Sequence, residues 1–187
     1  MVEERRFLLC VVDADVKYPN ASYGSTCNEA LNIRDCLNEQ GFEGYFELYV
    51  LKTHEIENLI PLSILKKLPS NHFRRHVMSL LETLLCAGHK EALLFYDLKK
   101  GIKLKSSDSS LVDYWQGLLP AMNSQSSDVE YTFDNFSELG KNILSTSLQI
   151  LKDQKDSFIL DDYLNEIWLD LGKALFTWGC GRMRSVS

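Results

Sequence analysis

At 187 residues, 45% of them hydrophobic and 25% charged, the chain has the make-up of one soluble globular domain, or of one domain with an appendage. A formal charge of −6 excludes a surface covered by a nucleic-acid groove, though not a local strip of lysines. Five scattered cysteines without a C-x-x-C exclude a disulfide framework or zinc site, and no apolar run suits a signal peptide or membrane span, so the cytoplasm is the expected compartment.

The first element is Phe7–Val12, FLLCVV, an apolar run that predicts a strand buried on both faces. It leads into Asp13 and Asp15. Residues two apart on a strand point to one face, so extended geometry through Ala14 would project both carboxylates together. Carboxylates that close repel unless a cation lies between them, and a hard divalent ion such as Mg2+ suits the oxygens. An Asp-x-Asp can also simply cap a strand end. The loop Asp15–Gly24 has turn chemistry at Pro19 and Asn20 and conformational freedom at Gly24. Ser25 or Thr26 caps a helix to about Gln40, with Glu29 as capping-box partner and Gly41 as its end. Tyr45–Leu51 is the second strand. Strand, helix, strand makes a βαβ unit with parallel strands.

The second strand runs into Lys52–Asn58, KTHEIEN, which brings more ionisable groups to the same sheet edge. Glu55 and Glu57 suit either metal and proton chemistry or an acidic helix start. Asn58 suits the cap of a short helix opened by Pro61, and His54 reads as a surface or capping histidine. A helix over His72–Ala87 carries Arg74 and Arg75 in its first turns. Ala92–Tyr96 reads as a third buried strand, and Cys10 and Cys86 as small core residues. Asp97 then has two readings. It is a solvated carboxylate beside a lysine-rich turn, or, with Lys99, the ligand-and-amine pair used by restriction-type nucleases. Lys99, Lys100, Lys103 and Lys105, with Arg74 and Arg75, would form one basic strip beside the acidic edge. Further on, a short helix over 112–119, a polar loop over 121–129 and amphipathic helices over 136–152 and 161–178 complete the chain. The expected architecture is α/β: a parallel βαβ core over 1–105 and a mainly helical extension over 106–187.

Val11–Pro19, VVDADVKYP, and Val50–Pro61, VLKTHEIENLIP, together resemble the second half of a TOPRIM domain, a Rossmann-like fold, with OLD-type bacterial defence nucleases the nearest relatives. The resemblance covers roughly residues 1–65. It implies Mg2+- or Mn2+-dependent cleavage of DNA or RNA phosphodiesters, within a defence or DNA-repair complex that includes a protein partner such as an ATPase subunit. By position it puts Asp13 and Asp15 on the metal. It makes Glu55 or Glu57 a further ligand, with Glu55 counted in the metal set, or a positioning or proton-handling group. It makes Asn58 their support, and it turns Lys17 or Lys52 toward the scissile phosphate. The chain departs from the family at one place. TOPRIM domains use a Glu after an earlier strand, whereas Glu3 and Glu4 precede the first strand here. That departure implies truncation, a partner that completes the site, or a non-catalytic protein-binding subunit. A nucleotide-sugar transferase, whose Asp-x-Asp holds a metal-diphosphate, gives no role to Glu55–Asn58 and ranks third.

Overall fold

The computed structural model describes residues 8–69, 72–103, 107–126, 129–132, 136–153 and 160–178. It is a mixed α/β structure in which helices predominate. In chain order the elements are β1 (Leu8–Val12), α1 (Ser25–Leu37), β2 (Phe46–Val50), α2 (Leu62–Leu65), α3 (His72–Cys86), α4 (Ala92–Phe95), α5 (Ser109–Gln125), α6 (Ile143–Asp153) and α7 (Asp162–Phe176). Met1–Phe7, Lys105 and the tail from Gly179 lie outside the described residues.

β1 and β2 pair in parallel, from Leu8 opposite Phe46 to Val12 opposite Val50, with α1 as the crossover. This is the expected βαβ unit. Its burial is not as expected. Leu8 is 59% and Val11 36% exposed, so β1 is not buried on both faces. Among the described residues the sheet has two strands, and Cys27 is the buried residue of α1, so neither neighbour covers β1 fully. Cys86, expected in the core, is exposed.

The start of α1 also differs. Gly24 is its N-cap, and no Ser25 or Thr26 hydroxyl caps it. Gly24 has φ −66, an ordinary value, so conformational freedom does not explain it. Space does: a Cβ there would stand 2.3 Å from Asp15 Oδ2. At the other end the helix widens into a π turn that Gly41 ends with φ 83.

The expected third strand is a helical turn. Ala92 N and Leu94 N donate to His89 O and Glu91 O, both at 3.0 Å, and the chain becomes extended only at Tyr96. A short apolar run does not tell a buried strand from a buried helical turn; the turn after Gly88 decides it locally. The segment still lies beside the end of β2, where His54 N donates to Leu94 O at 2.7 Å.

One core joins the two halves of the sequence. Val77, Leu80 and Leu84 of α3 pack with Ile64, Tyr96, Trp115, Met122 and Ile143 in one buried cluster. Trp115 meets Tyr96 and Phe136 edge-on, with ring centroids 5.7 and 5.5 Å away. Its indole Nε1 donates to Lys17 O at 2.8 Å, which ties the loop after β1 to α5. α5 continues through Pro120 to Gln125, into the segment expected to be a loop, and Phe136 and Leu139 are buried ahead of α6 instead of within it. α7 closes over the loop after β2: Ile167 and Leu171 bury against Leu51 and Leu59, and Trp168 Nε1 donates to Leu59 O at 3.0 Å. Among the described residues no helix is long and apolar enough to cross a membrane.

Candidate functional site

Parallel strands deliver their C-terminal ends to one edge, and here backbone bonds extend that delivery past the strands. Leu51 N donates to Val12 O at 2.9 Å and Asp15 N to His54 O at 2.9 Å. With the bond from His54 N to Leu94 O, His54 is held on both sides, between the loop after β1 and the end of α4. Asp15 adopts φ 53, a left-handed conformation that Asp tolerates better than most residues. The extended geometry expected through Ala14 therefore stops, and the two aspartates take different partners. Asp13 Oδ1 accepts from Ile56 N at 2.8 Å, whereas Asp15 Oδ1 lies 3.5 Å from His54 Nδ1.

Glu55 to Asn58 form a reciprocal cap on the 3-10 turn Ile56–Leu59. Asn58 is the third residue of this cap and is not the cap of α2, a position that Pro61 holds. Its amide nitrogen donates to Leu93 O and Tyr96 O, at 2.8 and 2.9 Å, and its oxygen accepts from Glu55 N at 2.9 Å. The spacing Glu55-x-x-Asn58 is the sequence signal for this cap. Thr53 Oγ1 adds a bond to Glu55 O at 2.9 Å.

Two residues expected at the surface are inside. His54 and Asp97 are each 1% exposed. Asp97 Oδ1 accepts from the Lys99 and Lys100 amides at 3.1 and 2.7 Å, an Asx turn that fixes the carboxylate. Its Oδ2 faces His54 Nε2 and Lys17 Nζ, each at 3.4 Å. Lys99 turns inward, 3.3 Å from Glu55 Oε2 and 3.1 Å from Glu57 Oε1.

Asp13, Asp15, Glu55, Glu57 and Asp97 thus gather around His54 with Lys17 and Lys99, and carboxylates outnumber ammonium groups. Burial pushes the Asp13 carboxyl up against the pull of the Ile56 amide and Lys99. Burial likewise raises Glu55 against His54 and Lys99. Burial works on Asp97 as well, but His54, the Lys100 amide and Lys17 outweigh it and hold that carboxyl at about 2. Both ring nitrogens of His54, Glu55 Oε2, Glu57 Oε2 and Asp97 Oδ2 are buried without an aligned hydrogen bond. Such atoms are rare in folded proteins and call for a partner. Ligand atoms of His54, Glu55 and Asp97 all lie within 4.8 Å of one another. Of the expected metal set, Glu55 belongs to this group, and Asp13 and Asp15 border it.

The lysines divide. Lys17, Lys100 and Lys103 line an open cleft of about 480 Å3 together with Asp15 and Tyr18. Lys52 instead pairs with Asp170 on α7. Arg74 and Arg75 line another groove with Glu82, Arg74 also bonds Pro69 O and Leu139 O, and Lys105 of the expected basic strip lies outside the described residues. Compared with protein-family models, curated proteins and solved structures, the chain matches none.

Proposed function

We propose that the chain is a metal-dependent nuclease, using Mg2+ or Mn2+ to hydrolyse DNA or RNA phosphodiesters. The observation that carries this reading is a buried acidic centre that opens, through Asp15 and Lys17, into a lysine-lined cleft. Lysines along a cleft suit a phosphate backbone, and an electronegative centre beside them suits the cation that cleavage requires. The buried oxygens of Glu55, Glu57 and Asp97 without hydrogen bonds fit a divalent ion, and Glu55 and Asp97 would hold it. When bound, the ion polarises the phosphate and lowers the pKa of a water. Lys17 touches both Asp97 and the cleft, so it holds a phosphate against the acidic centre. Lys99 pins Glu55 and Glu57. Asp13, fixed by the Ile56 amide and raised by burial, is suited to take up a proton.

The TOPRIM resemblance supports a setting in a bacterial defence or DNA-repair complex with an ATPase partner. A second reading, a protein-binding subunit without catalysis, is favoured by Leu8 and Val11, exposed apolar residues that a partner would cover. The test incubates the full chain with labelled single- and double-stranded DNA and RNA, with Mg2+, Mn2+ or a chelator. Cleavage that needs the metal and is lost in Asp97→Asn is expected. No cleavage of any substrate with either metal rejects the nuclease in favour of the binding subunit.

A further inference from the structure

We infer that His54, Glu55 and Asp97 form a mixed imidazole–carboxylate metal site that selects first-row transition ions such as Mn2+ and Zn2+ over Mg2+, with Asp15 positioning the imidazole. The inference deepens the nuclease reading by naming the ion class and its ligands.

The two nitrogens of His54 face different neighbours. Nε2 lies 3.4 Å from Asp97 Oδ2 and 3.9 Å from Glu55 Oε1. Nδ1 lies 3.5 Å from Asp15 Oδ1. A ligating histidine commonly gives the N–H of its other nitrogen to a carboxylate, which fixes the tautomer and aims the lone pair at the metal. Asp15 stands where that carboxylate belongs, at the exposed mouth of the site. It is therefore a positioning residue, and the Asp-x-Asp pair is not a shared ligand set.

The ligand atoms are arranged in advance. Asp97 commits Oδ1 to two backbone amides and leaves Oδ2 buried without a hydrogen bond. His54 is almost fully buried, and neither ring nitrogen has an aligned partner. Its backbone is bonded on both sides, which fixes the point from which the ring projects between the three segments. Lys17 and Lys99 compete for the same carboxylates, but the surrounding carboxylates outnumber them, so a divalent ion is still attracted.

The ligand types decide the ion. Mg2+ prefers an octahedron of oxygens and keeps several waters. Imidazole with carboxylates suits Mn2+, Fe2+ and Zn2+ better. A site built on Asp13 and Asp15 would be all oxygen and would favour Mg2+, so the metal preference separates the two assignments.

The test uses metal-free full chain and no nucleic acid. Calorimetric titration with MnCl2 and with MgCl2 gives affinity, and pulsed electron paramagnetic resonance on bound Mn2+ gives nitrogen coupling. One Mn2+ per chain, at least about tenfold tighter than Mg2+ and coupled to a single imidazole nitrogen, is expected. His54→Gln abolishes the coupling, and His54→Gln and Asp97→Asn each weaken binding about tenfold or more. Asp15→Asn weakens binding but keeps the coupling, and Asp13→Asn costs less than either ligand change. Bound Mn2+ without nitrogen coupling, equal affinity for Mg2+, or a loss in Asp13→Asn that His54→Gln does not show would overturn the site. If His54→Gln fails to fold, the coupling in the parent decides alone. Nitrogen-coupled Mn2+ without cleavage keeps the site and rejects the nuclease; Mg2+-supported cleavage without that coupling does the reverse.

Discussion

The strands and the loops that follow them invert the usual division between inside and outside. Leu8 and Val11 of β1 stand in solvent, while Thr53, His54, Glu57, Asn58 and Asp97 are almost wholly buried. Burying polar groups is unfavourable unless hydrogen bonds replace those to water. At Thr53 and Asn58 they do, and these residues build the loop. At His54, Glu55, Glu57 and Asp97 the replacement is incomplete. A loop selected for stability alone would not retain so many buried, half-satisfied groups in contact. The cation proposed for this centre would supply the missing partner.

The largest effect is expected at Asp97. Asp97→Asn keeps an acceptor for the Lys99 and Lys100 amides and removes only the charge that faces His54 and Lys17. Metal-dependent cleavage is expected to fall roughly a thousandfold, about 4 kcal/mol of transition-state stabilisation, with the fold retained by circular dichroism. A variant that cleaves as the parent does would move the chemistry away from this centre. Next comes Asn58→Ala. It strips partners from Glu55 N, Leu93 O and Tyr96 O in a buried place. A loss of about 3 kcal/mol is expected, and about 6–12 °C in Tm by thermal melting. A shift of a degree or two would mean that the loop is not anchored there.

Gly24→Ala acts where the loop after β1 meets His54. The new methyl would stand 2.3 Å from Asp15 Oδ2 and 2.5 Å from its Cβ, so the backbone at Asp15 must shift and carry the carboxylate from its place beside His54. Mn2+ affinity is expected to fall about tenfold, with a drop of a few degrees in Tm because the Asp15 backbone is bonded to the buried His54. Unchanged affinity would remove Asp15 from its positioning role. The smallest effect belongs to the strand. Leu8→Thr puts a β-branched, strand-compatible residue on a surface already exposed, and stability by thermal melting is expected to stay within about 0.5 kcal/mol of the parent's. A large loss would show that the strand face is covered in solution.

How much of this was legible beforehand differs from residue to residue. Local pattern sufficed for the βαβ unit, because strand order and crossover length are written in consecutive residues. It sufficed to mark Asp13, Asp15, Glu55 and Glu57 as neighbours of one sheet edge, and each of them borders or enters the cluster; Lys17, beside Asp97, was marked by the family resemblance alone. It failed at His54 and Asp97. Their burial depends on the meeting of two segments about 40 residues apart, the end of β2 and the end of α4, and no window around one of the two residues contains the other.

The sequence by itself determined the supply of carboxylates and lysines, the two parallel strands, and the edge to which they lead, because hydrophobic periodicity and turn chemistry act over a few residues. Tertiary structure alone decided which of those groups meet. The backbone bonds from Asp15 to His54 and from His54 to Leu94 join segments far apart in the chain, and they turn a histidine and an aspartate expected in water toward each other inside the protein. At Asp97 the surroundings then set the charge, since burial raises the carboxyl while His54, the Lys100 amide and Lys17 outweigh it.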